Sequence, residues 1–463
     1  MSTTPSQHEP DLRTRIAALV EAGDLSALEP LLAELHPSDV ADVLESLSAT
    51  DQIALIEVLP AELASDALVE MEDGDRAAEL LATFAPGKQA ELVHEMEVDD
   101  ATDLIGDLEP AEQDRVLAEL STKEAGEIRG LLEFGEETAG GLMTTALVVV
   151  AADLNAAQAL EQVRVQGREV EDFYLVFVVD AHGQLLGTVP LDVLVIADPG
   201  DAVASLVKPT QASVTADEDQ EEVGKLISRY NLPAVAVVDA EGRLLGRITF
   251  DDVIDVIEAE QTEDLLRFSG VSDEEEIRGD WIDAVKGRLP WLLLHTLTLS
   301  LAAAVVLIFQ DVLQRFTILV FTMPIIAGLG GNAGTQALAV TVRRLATASG
   351  PLEPKGTAVG KEILVALANG FLVATAVAAV VMFVNASGLS RVGTEVPSLR
   401  LGSVVLAAMW GNVLLAGSAG AFIPTLLNRL GLDPAVASSV FLASLTDLAG
   451  FLLLLGLASA ILL

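Results

Sequence analysis

From residue 35 to residue 120 the chain closes a short amphipathic run every twelve or thirteen positions, on Leu47, Leu59, Met71, Phe84, Met96, Leu108 and Leu120. The intervening runs, such as VADVLESL, DRAAELLATF and ATDLIGDL, are each a short helix long, and Asp, Pro or Gly often opens the next. That period predicts a right-handed stack of short helices with an acidic exterior. The pattern then changes. VFVVDAHGQLLGTVPLDV (176–193) and VAVVDAEGRLLGRITFDDV (235–253) each predict an apolar strand, a D-x-x-G turn, a second strand and a helix start. Asp180 and Asp239, Gly183 and Gly242, and Asp192 and Asp251 are all 59 apart, so the two copies form a tandem. A third pattern fills the rest: five apolar segments, 290–309, 316–341, 362–385, 401–427 and 434–461. Each meets the length of about 20 residues that crosses a bilayer.

Charge sharpens the division. The chain has 463 residues, with 69 acidic and 26 basic side chains. From residue 285 onward there are six acids and ten bases, which leaves 63 acids and 16 bases before it, so the two parts carry about −47 and +4. An acidic soluble half precedes an apolar half. The negative field of the first argues against nucleic acid and for cations, beside the plainer reading of high-salt solubility. No cysteine is present, which removes disulfides, thiolate catalysis and thiolate zinc sites, and the five histidines have no ligand spacing. The N-terminal MSTTPSQHEP lacks an apolar signal core, so the acidic half is expected in the cytoplasm.

Residues 250–284, FDDVIDVIEAEQTEDLLRFSGVSDEEEIRGDWIDA, hold thirteen acids and two bases. On a helix, Asp251 and Asp255 are four apart, as are Glu260 and Asp264; like charges at that spacing cost roughly 0.2–0.5 kcal/mol per pair. A solvated face tolerates this, and a bound divalent cation reverses its sign; carboxylate oxygens suit magnesium or calcium.

In the apolar half the cytoplasmic ends and loops carry Lys286, Arg288, Arg343, Arg344, Lys355, Lys361 and Arg429, against Arg315, Arg391 and Arg400 outside. That asymmetry places the N-terminus inside, and five crossings place the C-terminus outside. Trp291 and Trp410 are expected near membrane interfaces. The second segment contains PIIAGLGGNAGTQ (324–336), where Pro324 and three close glycines predict an interrupted helix, and Asn332, Thr335 and Gln336 bring polar groups to membrane depth. Gly330 and Gly334 also read as a helix-packing G-x-x-x-G. The fourth segment, with Asn412, Gly417, Gly420 and Pro424, reads as a second loosened helix. The fifth is expected to start after GLDPA (431–435), with Asp433 as its cap and Pro434 in the first turn. Asp447, in SLTDLAGF (444–451), is then the only carboxylate well inside any span. Such a group is expensive in a bilayer, which points to an ion ligand or proton relay, beside a structural, protonated or amide-paired aspartate.

The tandem at 176–253 resembles a pair of CBS domains, with Gly246, Thr249 and Asp252 similar to the ribose-binding G-x-x-T-x-x-D of nucleotide-binding members; the first copy has Pro190 at the threonine position. An adenine nucleotide such as ATP is therefore expected at one site at most. The whole order of parts, with GLMTT (141–145), PIIAGLGGNAGTQ, GLDPA and SLTDLAGF, resembles the MgtE family of magnesium channels from about residue 15 onward. The resemblance implies a multidomain fold: a flexible tail (1–14), an all-α helical-repeat domain (15–135), two α/β CBS domains (136–200 and 201–260), an acidic connecting helix (261–285) and a transmembrane pore domain of five helices (286–463). It further implies a homodimer in the inner membrane that imports Mg2+ through a pore between the membrane halves. Asp447 matches the pore aspartate, with Asn332, Gly331, Gln336, Ser439 and Ala443 along the ion path. Two facing carboxylates can hold a hydrated Mg2+ through its waters, since that ion gives up water reluctantly. Cytoplasmic Mg2+ is expected to bind between helical, CBS and connecting-helix carboxylates and close the pore, with Asp217, Asp219, Asp251, Asp252, Asp255, Glu258, Glu260 and Glu263 as sensor ligands. There are departures. Where S-N-P is expected after D-P-A, the chain has Ser438, Ser439 and Val440, and Arg229 stands where an acid is expected.

Two further readings compete: a proton- or sodium-coupled divalent-cation transporter with Asp447 as coupling acid, and a sensor that transports nothing. Co2+, Ni2+ or Mn2+ would also suit an all-oxygen path. No nucleophile–base constellation and no P-loop appears, so an enzyme is not expected.

Overall fold

The computed structural model describes residues 16, 19, 35–71, 74–168, 170, 173–208, 212–271, 281–346, 357–387, 396–430, 432–434 and 439–463. The expected N-terminal tail lies outside these residues. The chain forms two compact units, Met1–Ile257 and Glu258–Leu463.

The first unit begins with eight helices of eight to ten residues: α1 (Pro37–Ser46), α2 (Ala49–Ile56), α3 (Ala61–Val69), α4 (Gly74–Thr83), α5 (Pro86–Glu95), α6 (Val98–Gly106), α7 (Pro110–Glu119) and α8 (Thr122–Leu131). Odd helices pack on odd and even on even, which makes two layers. Leu47, Leu59, Met71, Phe84, Met96 and Leu108 are buried between those layers. The period has a backbone cause. The N–H of each of these residues turns back to a carbonyl three or four residues earlier, closing one helix before the next begins, as with Leu47 to Leu44 (3.0 Å) and Leu108 to Ile105 (3.2 Å). Glutamines, two of them buried, take up carbonyls at helix ends: Gln52 donates to Leu44, Gln89 to Leu81 and the part-buried Gln113 to Leu108.

Two three-stranded sheets follow. The first has β1 (Val149–Ala151), β2 (Leu175–Val179) and β3 (Leu185–Pro190), with helices α9 (Ala156–Gln166), α10 (Leu191–Ile196) and α11 (Val203–Leu206). The second has β4 (Ser213–Thr215), β5 (Ala234–Val238) and β6 (Leu244–Thr249), with α12 (Gln220–Tyr230) between β4 and β5. In each sheet the first strand runs parallel to the second, and the second and third form an antiparallel hairpin. The D-x-x-G turns explain their residues. Asp180 Oδ1 accepts from the N–H of His182 and Gln184, Asp239 Oδ1 from those of Glu241 and Arg243, and Gly183 and Gly242 both have φ +80°. The two turns also pair with each other, Leu185 N to Gly242 O (3.0 Å) and Leu244 N to Gly183 O (3.2 Å), so the repeat spaced by 59 residues meets across a pseudo-twofold. The helix after β6, α13 (Phe250–Ser269), takes up the first twenty residues of the acidic stretch and carries the chain into the second unit.

The second unit contains α14 (Trp281–Ile308), a short α15 (Gln310–Arg315), α16 (Ile318–Ala346), α17 (Thr357–Ala386), α18 (Ser398–Arg429) and α19 (Ser439–Leu462). The five long ones are apolar and long enough to cross a membrane. Helix α18 is central and packs on α16, α17 and α19, while α14 packs on α19.

Three expectations change here. Helix α16 runs unbroken through Pro324 and its glycines, and α18 through Gly417, Gly420 and Pro424. The glycines mark close helix crossings instead of breaks. A Cβ at Gly420 would lie 2.4 Å from the Gly334 carbonyl oxygen, and one at Gly417 2.6 Å from Ala366 Cβ. Trp410 lies well inside α18, not at an interface; its Nε1–H donates to Leu367 O (3.0 Å) and its ring meets Phe371 edge-on. Asp433 pairs with Arg267 of α13 at 2.8 Å, and the expected start of the last span, after GLDPA, falls on residues 435–438, outside those described.

Candidate functional site

Asp447 is the ninth residue of α19, about two turns from its start. Its side chain is half-buried. The helix is held around it by polar and small residues. Thr446 is fully buried, and a Cβ at Gly330 of α16 would lie 3.2 Å from Thr446 Cβ. Asn412 of α18, also fully buried, fills the space between Gly330 and Gly450; its Nδ2–H donates to Ile326 O (3.0 Å) and its Oδ1 has no partner. The flagged asparagine thus keys three helices together one turn from Asp447. On α16 the exposed residues include Pro324, Gly328, Asn332, Gln336 and Val340, a stripe at spacing four along one face. Two amides on that exposed stripe are poorly suited to lipid. Gly331 has no atom within 4 Å of where a Cβ would be, and Ser439 and Ala443 are half-buried on α19.

In the first unit the acidic residues gather in a cleft of ≈ 630 Å³. Helical-repeat residues Glu62, Asp66, Glu70, Glu95, Glu97, Asp99 and Asp100 face Arg247, Thr249, Asp251 and Asp252 of the second CBS-like copy across it. The sequence VDDATD puts Asp99 and Asp100 in the first turn of α6, with Asp99 only 7% exposed. Its Oδ1 has no hydrogen-bond partner. Burial, with Asp100 and Asp252 adding, holds the Asp99 carboxyl well above the usual carboxylate range. Burial and the neighbouring acids push Asp100 up to about 7. Burial also raises Asp252. A set of crowded carboxylates that repel one another, one of them buried with an unmatched oxygen, is chemically fitted to a divalent cation. Among the described residues no three Asp, Glu or His side chains converge closely enough to hold a bare ion. The fit is therefore to a hydrated one, whose waters span the gaps.

The sequence-derived sensor residues divide. Asp251 and Asp252 line the cleft. Asp219 instead caps α12, accepting from Glu221 N at 2.8 Å, and Asp217 lies on the turn just before it. Asp255, Glu258, Glu260 and Glu263 lie further along α13, where Glu263 pairs with Arg267. Asp99 and Asp100 were not singled out from the sequence; the sign available was a pair of adjacent acids in the first turn of a short helix.

The nucleotide fingerprint has a local explanation. A Cβ at Gly246 would lie 2.7 Å from Thr144 O, because Thr144 and Arg247 exchange backbone hydrogen bonds. Asp252 Oδ2 accepts from both the hydroxyl and the N–H of Thr249. Thr249 and Asp252 nevertheless share the cleft with Tyr174 and Arg247.

Residues 323–457 match the family described as "Divalent cation transporter", MgtE; residues 35–137 match the MgtE intracellular N domain, and 203–259 the CBS domain. The chain is 31% identical to the magnesium transporter MgtE of Thermus thermophilus, with 98% of this chain and 99% of that one covered. It is 35% identical to the magnesium transporter MgtE of Enterococcus faecalis, with 97% of each covered. A crystal structure of the cytosolic domain of the Mg2+ channel MgtE in complex with ATP aligns with 53% of this chain and 99% of its own, at 32% identity and a TM-score of 0.51. The chain, with its helical repeat, its CBS pair and its five membrane helices, belongs to the MgtE family of magnesium transporters.

Proposed function

We propose that the protein is a Mg2+ channel of the inner membrane, a homodimer that imports Mg2+ and is closed by Mg2+ at its cytoplasmic face. The observation that carries this is Asp447: among the described residues it is the one carboxylate well inside a membrane span, held on a helix braced by Asn412, Thr446 and Gly330. A hydrated Mg2+ held between two such carboxylates, one from each protomer, gives each charge its counter-ion without a full protein cage. The ion also leaves readily, because its waters and not its coordination bonds are what the protein grips. Asn332, Gly331, Gln336, Ser439 and Ala443 line the same path in this account, and the exposed amide stripe of α16 turns toward that path and away from lipid. The N-terminus is cytoplasmic and the C-terminus outside, as the arginine and lysine distribution favours.

The acidic cleft is the regulator. Without cations its carboxylates repel; with hydrated Mg2+ between them the helical repeat and the second CBS copy draw together. A ligand moves this equilibrium only through its greater affinity for the compact form. Asp99, Asp100, Asp251 and Asp252 are the primary ligands. An adenine nucleotide would share the cleft with Tyr174, Thr249, Asp252 and Arg247, and its phosphates would need Mg2+ to enter so acidic a place.

The test is Mg2+ uptake into liposomes holding purified protein, with no proton or sodium gradient imposed. Wild type should conduct, and Asp447→Asn should lose or strongly reduce uptake. Uptake that appears only when a proton or sodium gradient is imposed would replace the channel by coupled transport. Equal uptake by both proteins would remove Asp447 from the path.

A further inference from the structure

Helix α14 is exposed along most of its length and rests on α19. Its contacts there are specific. The Trp291 ring meets Phe441 edge-on, with centroids 5.9 Å apart. One turn further, His295 Nδ1 is 3.2 Å from Ser444 Oγ, and Thr298 Oγ1 is 2.6 Å from the same atom. Ser444 is 8% exposed and also reaches Val440 O at 2.8 Å. A serine hydroxyl has one proton and two lone pairs. Thr298 donates its own proton to His295 O at 2.9 Å, so the Ser444 proton is shared between Thr298 Oγ1 and Val440 O, and His295 donates to Ser444 as the Nδ1–H tautomer. Thr298 alone would supply Ser444 with a neighbour, so the histidine is surplus to simple polar satisfaction. It sits near the middle of an otherwise apolar span, where an ionisable side chain is expensive. Ser444 is three residues before Asp447 on α19, close to one turn.

We propose that His295 is a positioning residue for the ion path: by donating to Ser444 it fixes the rotation of α19, and with it the place of the Asp447 carboxylate. The role of His295 rests on Asp447 being an ion ligand.

The experiment measures initial Mg2+ uptake, over a range of Mg2+ concentrations, by full-length protein in liposomes. The variants are His295→Leu, His295→Asn, Ser444→Ala, the double variant His295→Leu/Ser444→Ala, and Asp447→Asn. Uptake is normalised to folded protein by size-exclusion chromatography. Leucine keeps the apolar bulk and removes the donor; asparagine puts an amide N–H where Nδ1–H stood. His295→Leu should lower maximum uptake about fivefold, the scale of one buried hydrogen bond. His295→Asn should stay within about twofold of wild type, and the double variant should be no worse than the worse single, since both remove one interaction. Wild-type uptake by His295→Leu while Asp447→Asn is silent overturns the inference and leaves the channel reading standing. Equal loss in His295→Asn and His295→Leu, or additive losses in the double variant, also overturns it. Wild-type uptake by Asp447→Asn removes both the inference and the reading beneath it.

Discussion

Gly330 and Gly331 are neighbours with opposite surroundings. A Cβ at Gly330 would lie 2.3 Å from Asn412 Nδ2, whereas one at Gly331 would meet nothing within 4 Å. Gly330→Ala should therefore lower stability by about 1–3 kcal/mol through overpacking, read as thermal unfolding in detergent. Gly331→Ala should leave unfolding unchanged and alter Mg2+ uptake if that face lines the path. Asn412→Ala, which clears the obstruction, should remove most of the extra penalty of Gly330→Ala, a non-additivity a double-mutant cycle measures directly. These contacts show what a single sequence conceals. PIIAGLGGNAGTQ carries the residues of a broken helix and of a tightly crossed one alike. What decides is Asn412, which donates to Ile326 O 86 residues away along the chain. Asp447 was legible because its cost in lipid is a property of the residue and its apolar neighbours alone.

At the scale of elements, local rules read well and long-range ones did not. The twelve- to thirteen-residue period was visible because each short helix closes on its own carbonyls, and the D-x-x-G turns because each aspartate caps its own loop. Membrane spans were legible from length and hydropathy. Asp433 has the sequence of a helix cap, and its ion-pair partner lies on a distant helix that sequence reading does not reach. Arg267 holds Asp433 at 2.8 Å and Glu263 on its own helix, with both side chains of the Arg267–Asp433 pair about a third exposed. A guanidinium there joins the connecting helix to the segment leading into α19. Arg267→Glu should shift the Mg2+ concentration that closes uptake by up to about fivefold, the scale of a partly exposed pair, and Arg267→Glu/Asp433→Arg should restore it. Equal closure in all three proteins would leave the pair without a part in gating.

Across the whole molecule, an acidic half near −47 precedes a membrane half near +4. That contrast announced cations as partners, but not which carboxylates hold them, because Asp99, Asp100 and Asp252 come together only through the fold. Their raised proton affinities give the first unit a definite pH response. Folded Asp100 holds its proton up to about pH 7, whereas the unfolded chain releases it near 3.8. The folded state thus binds more protons across that window, and its stability falls as pH rises through it. In metal-free buffer the unfolding temperature of the cytosolic part should drop from about pH 5 to about pH 7.5, and millimolar Mg2+ should remove the drop. Asp99→Asn/Asp252→Asn should flatten the response to both. A stability that rises with pH in metal-free buffer would mean these carboxylates are not crowded as described.

The most direct test of the central claim is Mg2+ uptake with the concentration at the cytoplasmic face set independently. Wild type should conduct when that face is Mg2+-free and fall silent when it is raised to millimolar levels, while Asp99→Asn/Asp252→Asn should keep conducting at the same Mg2+. Uptake by wild type that is indifferent to cytoplasmic Mg2+ would contradict the account, as would a variant that closes as wild type does.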